Sequence, residues 1–121
     1  MSKNSKPILL VAGDPKSIFL EIFFKSLKRE KFRNPLILII NQKILIHQMR
    51  TLKYSFKLNK LEGNNIIYKN LDNKKINFID VPFNKKLISK YIDLSFEIAL
   101  FLIKKNNKIS LINGPINKKN F

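Results

Sequence analysis

The chain has no cysteine and only one histidine, His47, in 121 residues. Without cysteine there is no disulfide framework, no thiolate metal site and no cysteine nucleophile. A lone histidine excludes a multi-histidine metal centre from this sequence, and His47 reads as a helix-surface or partly packed residue. Long hydrophobic runs are missing too. The most apolar stretch, residues 87–103, is interrupted by Lys90, Asp93 and Glu97, which argues against a membrane span. Residues 8–12 are too short for a signal core and run straight into Gly13-Asp14-Pro15. A soluble, cytoplasmic protein without a membrane partner is the expectation, and no internal repeat or low-complexity linker divides it.

Acidic residues are also few. Asp and Glu number 8 against 24 Lys and Arg, for a net charge of +16. Such a balance attracts nucleic acid or anionic lipid through phosphates. Yet the lysines are scattered along the chain, and arginine, whose bidentate fork suits groove reading, is scarce. The abundance of Lys together with Ile and Asn is what A/T-rich codons supply. Nucleic acid is therefore not the expected partner, and a basic nucleic-acid-binding module stays an alternative reading.

What the sequence does contain is alternation. At 45% hydrophobic residues it can form one small core. Apolar runs at residues 7–12, 36–40, 76–81 and 109–112 read as buried strands. Between them, helical spacing predicts helices over residues 16–33, with Ile18, Ile22, Phe23 and Leu27 inward, and over 42–54, with Leu45, Met49 and Leu52 inward. A third is expected over 85–105, presenting Ile88, Tyr91, Ile92, Ser95, Ile98, Ala99 and Leu102 and ended by Asn106-Asn107. The polar stretch 56–75 is the least patterned, with Ile66-Ile67-Tyr68 as an edge-strand candidate. Strands alternating with helices predict an α/β fold, a mainly parallel sheet with helices on both faces. One α/β unit over residues 1–121 is expected, with residues 1–6 a polar tail.

Two apolar runs end in Gly-Pro-type turns: Ile8-Leu-Leu-Val-Ala-Gly-Asp-Pro15 near the start and Ile109-Ser-Leu-Ile-Asn-Gly-Pro-Ile-Asn-Lys118 near the end. Strand-to-loop junctions of this kind carry ligands in open parallel sheets. In this order and spacing they resemble the N-terminal part of the 4-hydroxythreonine-4-phosphate dehydrogenase family. Family members carry Gly-Asp-Pro-x-Gly-Ile-Gly-Pro-Glu, matched here by Gly13, Asp14, Pro15, Ile18 and Glu21, with Ser17, Phe19 and Leu20 in place of two glycines and a proline. Their Thr-Gly-Pro-Ile-Asn-Lys is matched from Gly114 to Lys118, with Asn113 in the first position, and Val81-Pro82 resembles the Val-Pro before the intervening helix.

The resemblance implies the fold of the isocitrate and isopropylmalate dehydrogenases and a cytoplasmic homodimer. It also implies NAD- or NADP-linked oxidation of 4-phosphohydroxy-L-threonine in pyridoxal phosphate biosynthesis. In that reaction nicotinamide accepts hydride and a divalent metal polarises the developing ketone. The family's Gly-His-Thr-Glu motif and metal-binding histidines are not in these 121 residues. The resemblance spans about the first third of a family member, an incomplete domain expected to be inactive alone. A complementary chain or a second copy is an implied partner, beside the phosphorylated small-molecule substrate. The other open reading is a non-catalytic small α/β interaction protein.

The site residues so implied are Gly13, Asp14, Glu21, Asn113, Gly114, Pro115, Asn117 and Lys118. Each also has a plainer role. Asp14 either orients a ligand or caps the first helix, with Pro15 as its first residue. Glu21 either pairs with a cation in the cleft or complements the helix dipole. Asn113 and Asn117 either meet a ligand or bond within their turn. Lys118 either meets a phosphate or carboxylate as a point charge or is one more solvated lysine. Asp93 and Glu97, one turn apart, read as a solvated salt-bridging face.

Overall fold

In a computed structural model that describes residues 6–62, 71–105 and 110–113, each long apolar run is a strand. In chain order the elements are β1 (Ile8–Val11), α1 (Phe19–Arg29), β2 (Leu36–Ile40), α2 (Gln42–Thr51), β3 (Leu58–Lys60), β4 (Ile76–Asp80), α3 (Ile88–Lys105) and β5 (Ser110–Asn113). They form a five-stranded sheet of order β3-β4-β2-β1-β5 in which every neighbouring pair is parallel. β2 is central and all its residues are buried. Its unbroken Leu-Ile-Leu-Ile-Ile run therefore needs no polar alternation.

Helices cover both faces. Leu10, Leu38, Ile40 and Phe78 pack with Leu20, Phe23 and Phe24 of α1 and Leu45 and Met49 of α2. On the other face Leu9, Ile37, Ile39, Ile79 and Val81 meet Tyr91, Ile92, Ala99 and Leu102 of α3. The connections leaving β1 and β2 thus pass to one face, and the one leaving β4 passes to the other. This reversal positions the cleft described below.

Several boundaries depart from the sequence expectation. α1 begins at Phe19 rather than near residue 16, and its buried face is Leu20, Phe23 and Phe24. Ile18 and Ile22, expected inward, are exposed at 65% and 54%. Ile18 precedes the helix, and Ile22 lies to one side of the arc that Leu20, Phe23 and Phe24 turn to the sheet. α3 begins at Ile88, after a turn in which Asn84 Oδ1 accepts from Lys86 N–H at 2.9 Å. Ile66-Ile67-Tyr68 and Asn106-Asn107 lie outside the described residues, and the edge beside β4 is formed by β3.

The polar stretch that carries little pattern does structural work through asparagines. Asn73 Oδ1 accepts from Leu36 N–H at 2.9 Å while its Nδ2 donates to the Asn34 carbonyl at 2.8 Å. Asn77, 3% exposed within β4, donates to the Asp72 carbonyl at 2.8 Å and accepts from Asn59 Nδ2 of β3 at 2.9 Å. With these partners the buried Asn77 escapes the desolvation penalty and pins strand register, and the half-buried Asn73 ties the start of β2 to the loop before β4.

Candidate functional site

The C-terminal edge of the sheet is where the chain's polar strand-end residues gather. β1 is followed by Gly13, at φ 78°, a left-handed value that a side chain would resist. Asp14 comes next and is 8% exposed. Its Oδ1 accepts from Lys16 N–H at 2.9 Å and its carbonyl from Ser17 N–H at 3.0 Å. Asp14 therefore closes a tight turn and does not cap α1. The helix's N-cap is Ile18, which offers no side-chain bond. Proline's fixed φ suits the second position of the turn at residues 14–17, which the two bonds to Asp14 close before the helix begins at Phe19. Glu21 lies in the first turn of α1 and pairs with Lys25 at 3.8 Å, with its side chain 44% exposed.

β5 is parallel to β1, with Asn113 opposite Val11. The Gly-Asp-Pro turn and the segment that follows Asn113 thus depart from the same sheet edge on adjacent strands. Gly114, Pro115, Asn117 and Lys118 lie outside the described residues.

A second polar constellation sits one strand over, between the ends of β2 and β4. Asn41 caps α2 through Oδ1, which accepts from Ile44 N–H at 3.2 Å, while its Nδ2 donates to the Val81 carbonyl at 2.8 Å. Its backbone N–H donates to the Tyr91 hydroxyl at 3.2 Å. Asp80 Oδ1 accepts from Gln42 N–H at 2.8 Å, and Oδ2 lies 3.9 Å from Lys60 Nζ. Burial pushes the Tyr91 phenol up to about 12; the Asp80 charge adds to this, and the hydrogen bond from Asn41 opposes it.

Above these residues opens a cleft of about 1010 Å³. Lys16, Lys43 and Lys85 reach it from three different connections, and Ile44, Phe83 and Ile88 give it an apolar wall. His47 also lines it, on the exposed side of α2. Sequence reasoning missed this site. Its only signal was a polar residue directly after an apolar run, Asn41 after β2 and Asp80 at the end of β4, which reads equally well as a strand stop.

The arrangement of strands and helices has a counterpart among solved structures. The fold is similar to that of a 4-hydroxythreonine-4-phosphate dehydrogenase. The X-ray crystal structure of the dehydrogenase from Burkholderia phymatum matches with a TM-score of 0.74 at 17% identity. The match takes in 96% of this chain but 38% of the dehydrogenase, so the chain spans well under half of that protein's length. At this identity the likeness to the dehydrogenase is one of fold. No protein-family model matches the sequence, and no curated protein matches it.

Two properties of the described residues bear on cofactors and surroundings. Among them no three His, Cys, Asp or Glu side chains come together as a metal-holding group. The donor set for the divalent metal that the sequence resemblance implies is therefore not met by these residues. No helix among them is long and apolar enough to cross a membrane.

Proposed function

We propose that this chain is the N-terminal part of a 4-hydroxythreonine-4-phosphate dehydrogenase-like oxidoreductase and forms one wall of its substrate site. The supporting observation is the β1–β5 pairing. It sets Val11 beside Asn113 in a fold similar to the dehydrogenase over nearly the whole chain. The two segments that resemble the family's motifs thereby begin side by side at the sheet edge where parallel α/β proteins bind ligands.

In this reading each residue has a physical task. Gly13 lets the backbone turn sharply off β1 without a side chain over the edge. Asp14, held by Lys16 N–H, stiffens that turn. Lys118 supplies a point charge for the substrate phosphate, and Asn113, Gly114, Pro115 and Asn117 shape the loop that carries it. Glu21 acts at the helix surface, through Lys25. NAD or NADP, the divalent metal and the groups that hold them belong to polypeptide beyond these residues, in a cytoplasmic homodimer or a complex with a complementary chain. The α/β unit of residues 1–121 is then one incomplete domain of that assembly.

The test is to read the coding sequence directly downstream and co-express it with this chain. A reading frame encoding a Gly-His-Thr-Glu segment is expected, and the pair should form NADH or NADPH from 4-phosphohydroxy-L-threonine, followed at 340 nm. This chain alone should form none. Turnover by the chain alone, or an inactive pair that nevertheless co-purifies as a folded complex, overturns the proposal.

A further inference from the structure

We propose that the cleft between the ends of β2 and β4 is a separate ligand site that takes a phosphate monoester with an apolar body. It adjoins the β1–β5 edge assigned above, sharing Pro15 and Lys16 of the turn after β1, but it is centred on β2 and β4 and does not depend on the dehydrogenase reading.

The cleft exists because of topology. β2 and β4 are adjacent and parallel, with Ile40 opposite Asp80. The chain leaves β2 toward the α2 face and leaves β4 toward the α3 face, as the two separate cores establish. Where neighbouring connections diverge in this way, a crevice opens at the carboxyl ends of the strands, and such crevices are the usual ligand sites of open α/β sheets. At about 1010 Å³ it is at the upper end of small-molecule pockets.

Its chemistry is lopsided. Lys16 comes from the turn after β1, Lys43 from the first turn of α2 and Lys85 from the loop before α3, so three cations converge from three connections. Among the described residues none of the three is in an ion pair. The single carboxylate among the described residues lining the cleft, Asp80, is already engaged by Gln42 N–H and Lys60. The cleft therefore holds an excess of positive charge that its own acid does not neutralise.

The backbone of α2 limits how an anion could be held. Gln42 N–H is taken by Asp80 and Ile44 N–H by Asn41. Those two donors are thus occupied, and the lysine side chains supply the charge, acting as point charges that suit a terminal phosphate dianion more than a planar carboxylate. The same cleft is also lined by apolar Ile44, Phe83 and Ile88. Phe83 is held edge-on against the Tyr91 ring at 5.1 Å and 87°, so this wall is preorganised. A ligand that answers both kinds of lining carries a phosphate and a hydrophobic body.

The experiment is an amide-resolved NMR titration of the full chain at 0.15 M NaCl with phenyl phosphate, and in parallel with inorganic phosphate. Saturable shifts at Gln42, Lys43 and Ile44 are expected, with phenyl phosphate binding at least threefold tighter than inorganic phosphate. Lys43→Gln with Lys85→Gln should weaken phenyl phosphate at least fivefold. The charge-matched pair Lys57→Gln with Lys74→Gln, both exposed and outside the cleft, should change it less than twofold. Non-saturable shifts, equal weakening by both pairs, or no preference for the aryl ester would overturn the proposal. Equal weakening would make the attraction a property of the +16 charge rather than of the cleft.

Discussion

Tyr91 joins the α3 core to the end of β2, and its hydroxyl makes that junction sensitive to high pH. The fold holds the phenol near 12 against an unfolded value of about 10. The neutral form is thus favoured in the native state. Its contribution is fully present below pH ~10 and is lost as the pH rises from there through 12, on the order of 2 kcal/mol across that window. Urea unfolding of Tyr91→Phe beside the wild type isolates this effect from lysine titration. At pH 9 the variant should be less stable by about 1 kcal/mol, from the lost acceptor for Asn41 N–H. By pH 11 that gap should narrow or invert; a constant gap would contradict the assignment.

Asp80 is the other residue on which the β2–β4 junction depends. Asp80→Ala leaves Gln42 N–H without its acceptor and removes the partner of Lys60. A loss of about 1–2 kcal/mol is expected in urea unfolding, nearly all from the backbone bond, because the Lys60 contact is long and partly solvated. Asp80→Asn keeps an acceptor and should recover more than half of the loss. If Asn and Ala cost the same, charge rather than the hydrogen bond is what Asp80 supplies.

At the scale of elements, α2 ends in a Schellman arrangement. Tyr54 N–H donates to the Met49 carbonyl at 2.8 Å and Lys53 N–H to the Arg50 carbonyl at 3.2 Å. The residue that must turn left-handed there is Lys53, at φ 62°, where glycine is the common choice. Lys53→Gly should stabilise the protein by about 0.5–1 kcal/mol, seen as a rise in thermal midpoint without change in activity or binding. A fall would mean that glycine's extra freedom in the unfolded chain outweighs the relieved strain.

The elements also show how far sequence reasoning reaches. Strands β1, β2, β4 and β5 were legible because buried parallel strands are unbroken apolar runs, and Leu36–Ile40 is the clearest of them. The inner face of α3 was legible through Tyr91, Ile92, Ser95, Ala99 and Leu102. β3 was not, because three residues reading Leu-Asn-Lys carry no periodicity and are a strand only through pairing with β4. On α1 Phe23 and Leu27 were legible as inward, whereas Ile18 and Ile22 share their helical spacing but lie to one side of the face that Leu20 and Phe24 complete. The β2–β4 cleft was illegible for a deeper reason. It depends on which face each connection takes, and no local pattern around Asn41 or Asp80 encodes that choice.

For the molecule as a whole, +16 on 121 residues means that every compact state works against its own charge. Only two ion pairs occur among the described residues, and both are surface contacts near 4 Å. Raising NaCl from about 0.05 to 0.5 M shortens the screening length from over 10 Å to under 5 Å. The thermal midpoint should therefore climb by several degrees, measured by circular dichroism. A flat or falling midpoint would show that the lysines are spaced widely enough for repulsion to be negligible.

Strand order carries one more implication, for synthesis. β1 is made first, yet its neighbours are β2 on one side and β5, the last made of the five described strands, on the other. While the ribosome is still extending the chain, β1 and β2 can zip together under α1, but the outer rim of β1 keeps its amides bare until residues 110–113 emerge. α3 must cross the sheet to deliver them. A nascent chain stalled before that point presents β1 as a ready-made pairing edge, and docking of residues 110–113 covers that edge and hands the rim of the open sheet to β5.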